Sequence, residues 1–323
     1  MRAAWRGKSA AMIPPVAHFV WYGQTLPWLY AQAIRSAAAR GGFTRVVLHH
    51  RDDLSRGAVW PDLLKLPNFE ARFLEEKKLL RQAGGGELAG FADEPLSLLA
   101  RSNLVRAALL YTQGGVYLDT DTITVRSLAG LREASTSFLG LERIVFPYWV
   151  RRSRNPLVLI NAGLKDATRY MFRLLPYGYL FFPRLETWYH LAANNAVLAS
   201  EPGHPFLASL LAAMVQVPEK QRRAPHALGT HILQSTLEQY PGRDVRTYGP
   251  EYFFPLGPQI SRHWFRRGNK RPLDEVIGPE TRVVHWYASD VNRALIHRID
   301  ADYVKAHASH QLFSKLLLPL LDS

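Results

Sequence analysis

The sequence predicts an α/β fold built on a parallel sheet, and three observations carry that prediction. Short β-branched or apolar runs alternate with helical patterns through the first 125 residues, and the connections between them are brief. An apolar share of 47% is enough for a substantial core, while a charged share of 21% is ordinary for a globular protein. A chain of 323 residues accommodates one large α/β domain or two modest ones. No linker stands out, and no repeat of solenoid or propeller period is visible.

The elements follow in order. Residues 16–20 (Val-Ala-His-Phe-Val) read as a buried strand that runs into a Trp21-Tyr22-Gly23 loop. A helix is predicted over 29–39, with Gly41-Gly42 as its stop. The β-branched segment 44–49 is a second strand, which makes a βαβ unit. Residues 62–83 mix apolar and charged positions and read as one or two surface helices, ending in a flexible loop at 82–86. The clearest helix spans 96–113, and Gly114-Gly115 suits a left-handed stop. Residues 116–125, rich in valine, tyrosine, isoleucine and threonine, read as one strand. The stretch 145–200 is aromatic and shows no clean period. Helices are predicted over 207–217 and 228–238, and a short strand over 281–286. Leucine pairs and triplets in 303–321 predict a terminal helix packed on the body, with a membrane-surface helix as the alternative.

Composition narrows the function classes. Cysteine is absent, which removes disulfides, zinc–thiolate sites and thiol nucleophiles, and suits a reducing cytosol. No run of about 18 apolar residues exists to span a bilayer. Residues 1–15 lack the apolar core of a secretory leader, so a Sec-type signal is not expected. The formal charge of +13 is the main anomaly. Its clusters, 151–154, 221–223 and 262–271, are short, scattered and without the spacing of a DNA-reading helix. A diphosphate pocket or an anionic membrane surface accounts for the excess better, and no nucleic-acid partner is expected. Residues 249–252 and 262–271 read as a turn and a basic surface loop, or as a loop that meets acceptor or phosphate.

One constellation carries chemistry. Along a single strand, Tyr117, Asp119 and Asp121 would share a face, with the two carboxylates about 7 Å apart. Such a pair is costly without positive charge between its members, and a divalent cation on a diphosphate is one source of it. On the preceding helix, Ser102, Asn103 and Arg106 occupy one side amid apolar neighbours. An arginine in that setting needs an acceptor, and its fork suits carboxylate, phosphate or sugar hydroxyls.

The stretch Arg101-Ser102-Asn103-Leu104-Val105-Arg106, continued by Leu110-Tyr111 and Gly114-Gly115-Val116-Tyr117-Leu118-Asp119-Thr120-Asp121, resembles the DXD signature of glycosyltransferase family 32. The segment 17–23 resembles that family's opening strand and loop, and 194–200 running into Gly203-His204-Pro205 resembles its asparagine-containing segment. The likeness spans most of 13–210. It implies a GT-A-like nucleotide-sugar-binding fold, with a mixed, mostly parallel central sheet flanked by helices. It further implies one catalytic domain over 1–323, with a donor-binding core at 13–210 and a C-terminal part, 211–323, that completes the site.

Residue by residue, the resemblance implies that Trp21 stacks on the base and that Arg106 and Asn103 hold the donor sugar. Asp119 would contact ribose or sugar together with the metal, and Asp121 would bind the metal directly. Val20, Ser102, Tyr117, Asn194 and Asn195 complete the expected nucleotide-sugar contacts. Asn103 departs from the family, which usually has aspartate there, and so removes a charge near the sugar. The third metal ligand is expected from 283–290, with His285 and Ser289 as candidates.

The implied reaction is retaining hexose transfer from a nucleoside diphosphate sugar, UDP-sugar favoured, with Mn2+ or Mg2+. The acceptor expected first is a glycan or glycolipid of bacterial surface polysaccharide or lipopolysaccharide. A protein acceptor, as for toxin-like relatives, is the second reading, and a basic nucleic-acid-binding protein the last. The expected location is cytoplasmic, with peripheral contact at the inner face of the cell membrane.

Overall fold

The protein is described by a computed structural model over residues 12–224 and 228–321. Most of the leader expectation concerns residues 1–11, which lie outside that range. The strands are β1 (Val16–Trp21), β2 (Arg45–His50), β3 (Phe69–Phe73), β4 (Gly115–Leu118), β5 (Thr122–Thr124), β6 (Ser137–Ile144), β7 (His190–Ser200), β8 (Val245–Tyr248) and β9 (Val283–His285). Among the described residues, seven of them form one sheet in the order β3-β2-β1-β4-β7-β6-β8, and β5 pairs with β9 in a second. Only β7 runs against its neighbours; the other pairings of the large sheet are parallel. The longer helices are α1 (Trp28–Arg40), α2 (Glu76–Gly90), α3 (Leu98–Gln113), α4 (Pro156–Leu174), α5 (Pro205–Val215) and α6 (Thr230–Gln239). The mixed, mostly parallel sheet flanked by helices is therefore as expected.

Strand alternation divides the core. Val20, Tyr117, Leu139 and Leu198 point to one face, where Leu104, Val105 and Ala108 of α3 cover them together with α5 and α6. Phe19, Val46, Val116 and Leu118 point to the other, packed by Ala33, Ile34 and Ala37 of α1 and by Phe253 and Phe254. A third cluster joins Ile123 of β5 and Val284 of β9 to Trp264, Trp286 and Phe313.

Several expectations need correction. The segment 62–83 holds a strand, β3, as well as helices: Phe69, Ala71 and Phe73 alternate with Glu70 and Arg72 at the sheet edge. The expected loop at 82–86 is a kink inside α2, where Gly84 and Gly85 leave helical geometry. Residues 116–125 are two strands in two sheets. The chain leaves the large sheet after Leu118, turns where both the amide and Oγ1 of Thr122 donate to the Asp119 carbonyl, and then pairs with β9. Asp119 and Asp121 therefore sit at a break between strands, and not on one continuous face. The terminal segment packs on the body, as two short helices (Ala301–His307 and Leu312–Leu317) with Leu312, Phe313, Leu316 and Leu317 buried.

Candidate functional site

Helix α3 begins on Ser97, whose Oγ accepts from the Ala100 amide at 3.2 Å. It ends at Gly114 and Gly115, with φ of 66° and 103°. A Cβ on Gly115 would lie 2.6 Å from the Val16 carbonyl oxygen and 3.0 Å from His18 Nε2, so only glycine lets the helix fold back tightly beside β1. This return sets Arg106 of α3 against the residues that follow β4.

Arg106 is buried and turns both terminal nitrogens to the surroundings of Asp119, while its Nε has no partner among the described residues. Its Nη2 lies 3.0 Å from Asp119 Oδ1, its Nη1 donates to the Asn195 carbonyl, and its guanidinium sits 4.4 Å from the centre of the Tyr117 ring. The Tyr117 hydroxyl donates to Asp119 Oδ1 at 3.0 Å and lies 3.4 Å from Ser102 Oγ. Asn103 is buried on the same helix face, where its Oδ1 accepts from Asn195 Nδ2 at 2.8 Å. Asn194 Oδ1 accepts from the Ala196 amide at 2.7 Å, which shapes the irregular stretch of β7 beside the site.

Asp121 is held from the C-terminal side. His285 Nε2 lies 3.1 Å from its Oδ1, and the Ala288 amide donates to its Oδ2 at 2.9 Å. The Trp286 amide donates to the Asp121 carbonyl, which extends the β5–β9 pairing. Asp119, Asp121 and His285 each offer a ligand atom within 4.8 Å of the others. Burial raises the Asp119 pKa, opposed by Arg106 and assisted by the neighbouring charge of Asp121. Burial also acts on Asp121, but the His285 cation and the Ala288 amide outweigh it and lower that pKa. Burial pulls the His285 pKa down, yet Asp121 and Asp119 raise it overall. Two carboxylates and an imidazole thus share one small space.

The remaining expected residues fall around this cluster. Trp21 is half-buried, its ring 5.0 Å from Tyr30, and Tyr30 lies 5.7 Å from Trp286, so an aromatic run leads from Trp21 to the Asp121 loop. Val20 is buried in the core beneath this end of β1. Ser289 is exposed in the turn after Ala288, and none of the Asp119 or Asp121 contacts above includes its side chain. Residues 249–252 form a half-exposed turn, and 262–271 is a basic segment with Arg262, Arg267, Lys270 and Arg271 exposed while Trp264 anchors it in the third cluster.

Sequence reading missed the support behind His285. Tyr287, in left-handed backbone geometry at φ 55°, places its ring 4.1 Å from His285 and donates its hydroxyl to Glu142 Oε2 at 2.9 Å. Glu142 is buried on β6, and burial raises its pKa. An acid within an apolar strand was the one available signal.

Residues 73–138 match the family described as a glycosyltransferase sugar-binding region containing a DXD motif. That span holds α2, α3, the glycine turn, β4 and both aspartates, so the candidate site lies within the part of the chain that is similar to a glycosyltransferase sugar-binding region. No curated protein matches the chain. Similar solved structures include mouse xyloside xylosyltransferase 1, at 12% identity over 85% of this chain and 98% of that one, with a TM-score of 0.45. The PaToxG glycosyltransferase is 15% identical over 71% of this chain and 70% of that one, with a TM-score of 0.42. The galactosyltransferase LgtC is 13% identical over 84% and 87%, with a TM-score of 0.39.

Proposed function

We propose that the protein is a metal-dependent hexosyltransferase that uses a nucleoside diphosphate sugar, UDP-sugar favoured, and acts as a single catalytic unit over its whole length. The grouping of Asp119, Asp121 and His285 next to Arg106 carries this reading. The donor set fits a divalent cation: oxygen and imidazole ligands suit Mn2+ or Mg2+, and two crowded carboxylates need positive charge. His285 Nε2, 3.1 Å from Asp121 Oδ1, is the ring nitrogen turned to the carboxylates, and in the neutral imidazole it would offer its lone pair to the ion.

Bound there, a divalent cation would neutralise charge that builds on the departing diphosphate. The chain's own residues do the positioning. Arg106, fixed by Tyr117, Asn195 and Asp119, holds the Asp119 carboxylate and contributes permanent positive charge at the sugar end. The Asn103 oxygen is already taken by Asn195, so its side-chain amide N–H groups would meet a sugar hydroxyl. Trp21 would stack on the base, with Val20, Ser102, Tyr117 and Asn194 shaping the walls. The Ala288 amide and His285 hold Asp121 in register, and Ser289 stands one residue beyond. We assign retention of anomeric configuration, and a glycan or glycolipid of a bacterial surface polymer as acceptor, from the family resemblance.

The test is a panel of nucleotide sugars with Mn2+, read as release of the nucleoside diphosphate. At least one donor should be turned over, and Asp121→Ala should lose about a hundredfold or more of that rate. Turnover of no donor, or an unaffected Asp121→Ala protein, would sink the assignment.

A further inference from the structure

Helix α4 is built inside out. Its outward stripe is Leu157, Ile160, Leu164, Met171 and Leu174, which are 73%, 59%, 56%, 47% and 57% exposed. Its inward stripe carries Ala162 and Phe172, but also Lys165, Arg169 and Arg173. Those three cations are committed to the body. Lys165 Nζ lies 3.0 Å from His190 Nε2, Arg169 donates to Gln259 Oε1 at 3.1 Å, and Arg173 donates to the Gln259 carbonyl at 2.6 Å. The hydrophobic face of the helix therefore has no partner among the described residues.

The surroundings say what covers it. Tyr148, Trp149, Phe181 and Trp188 are exposed beside the helix, as are Arg151, Arg152, Arg154 and Arg184. Between residues 145 and 191 the sequence has seven Lys/Arg and only two acids, and none of the acids lies before Asp166. An apolar stripe about 28 Å long, edged by aromatics and arginines, has the make-up of a helix that lies in a bilayer interface. A second copy of the chain fits worse, because a two-fold contact would set these arginines against themselves. No described helix is long and apolar enough to cross a membrane.

We propose that the face formed by α4 and the exposed side chains of 148–154 and 181–188 docks on an anionic lipid bilayer. The docking rests on this surface alone and not on the donor chemistry. It would lie beside the active site, since Arg173 also pairs with Asp290 at 3.6 Å, in the turn that begins at Ala288.

Flotation of the full chain with two kinds of vesicle tests this: phosphatidylcholine alone, and phosphatidylcholine with about a third phosphatidylglycerol. The protein should float with the anionic vesicles, at least tenfold more than with neutral ones, and its tryptophan emission should shift to the blue by an amount that Trp149→Phe reduces. A Leu164→Asp/Met171→Asp variant should lose that binding tenfold or more, and so should Arg151→Glu/Arg152→Glu/Arg154→Glu. All these positions are exposed, so both variants should fold. Failure to bind anionic vesicles, or equal binding by the aspartate variant, would overturn the proposal. So would a dimer of the parent protein that the aspartate substitutions dissolve. Diphosphate release from soluble donor, measured on the same proteins, should be unchanged by either variant. A parent protein that binds vesicles but turns over no donor would refute the transferase assignment and leave the docking intact.

Discussion

Both ring nitrogens of His18 are used, and their partners fix its protonation. Nε2 faces the Gly114 carbonyl at 2.9 Å, so it carries the proton; Nδ1 then accepts from His49 Nε2 at 3.0 Å. A proton on His18 Nδ1 would break this chain, and burial lowers the His18 pKa to about 4. Above the ordinary histidine value of about 6.5, both folded and unfolded chains are neutral at this position and pH has no effect through it. As pH falls from there toward 4, the unfolded chain takes up the proton first and the fold loses stability. The loss stops below 4, where the folded chain is protonated too. For His18 it amounts to about 3 kcal/mol. Denaturant unfolding at pH 7.5 and 4.5 should therefore show a smaller fall for His18→Gln than for the parent; an equal fall would place the sensitivity elsewhere. At this scale Asp119, Asp121 and Arg106 were singled out by the family resemblance together with the polar face of α3; the Asp-x-Asp spacing alone would not have done it. The Ala288 amide was not, because a backbone N–H has no sequence signature. Neither was the Tyr287–Glu142 contact, which joins residues 145 apart.

Elements were legible where one period ran long enough. Helix α3, with its serine cap and glycine stop, is the best case, and β1, α1 and β2 follow from the same alternation. Strand β3 was hidden because five residues with two charges carry too little pattern, and its edge position leaves them half-exposed. The break between β4 and β5 was hidden because both strands have β-rich composition; what separates them is pairing with β9, far along the chain. The turn between α3 and β4 is the element on which Arg106 and Asp119 meet, and its geometry is tested by Gly115→Ala. Left-handed backbone and the approach to the Val16 carbonyl should together cost about 2 kcal/mol or more. Gly130→Ala, where an added Cβ meets nothing within 4 Å, should be neutral or slightly stabilising. Urea titrations of the two proteins give the comparison, and similar midpoints would mean that the turn relaxes without loss.

At the scale of the whole molecule, the candidate metal cluster is assembled from two layers. Asp119 and Asp121 follow the central sheet, whereas His285 and the Ala288 amide come from β9 and its turn. That turn is backed by the third cluster, in which Phe313 packs its ring 5.6 Å from Trp286 and 4.4 Å from Phe265. Little of this layer was visible in advance, because its aromatics are spread from 145 to 320 without a period. Phe313→Ala should cost about 3–5 kcal/mol through the cavity it leaves. It should also loosen the seat of His285 against Asp121. Leu210→Ala, in the cluster on the far side of the sheet from α1, removes a comparably buried side chain and should cost about 2–5 kcal/mol. Titration of both proteins with Mn2+, under conditions where each remains folded, separates stability from assembly. The Phe313 variant should bind the ion more weakly than the Leu210 variant. Equal affinities would show that the sheet alone holds the cluster, and that the C-terminal layer contributes nothing to its geometry.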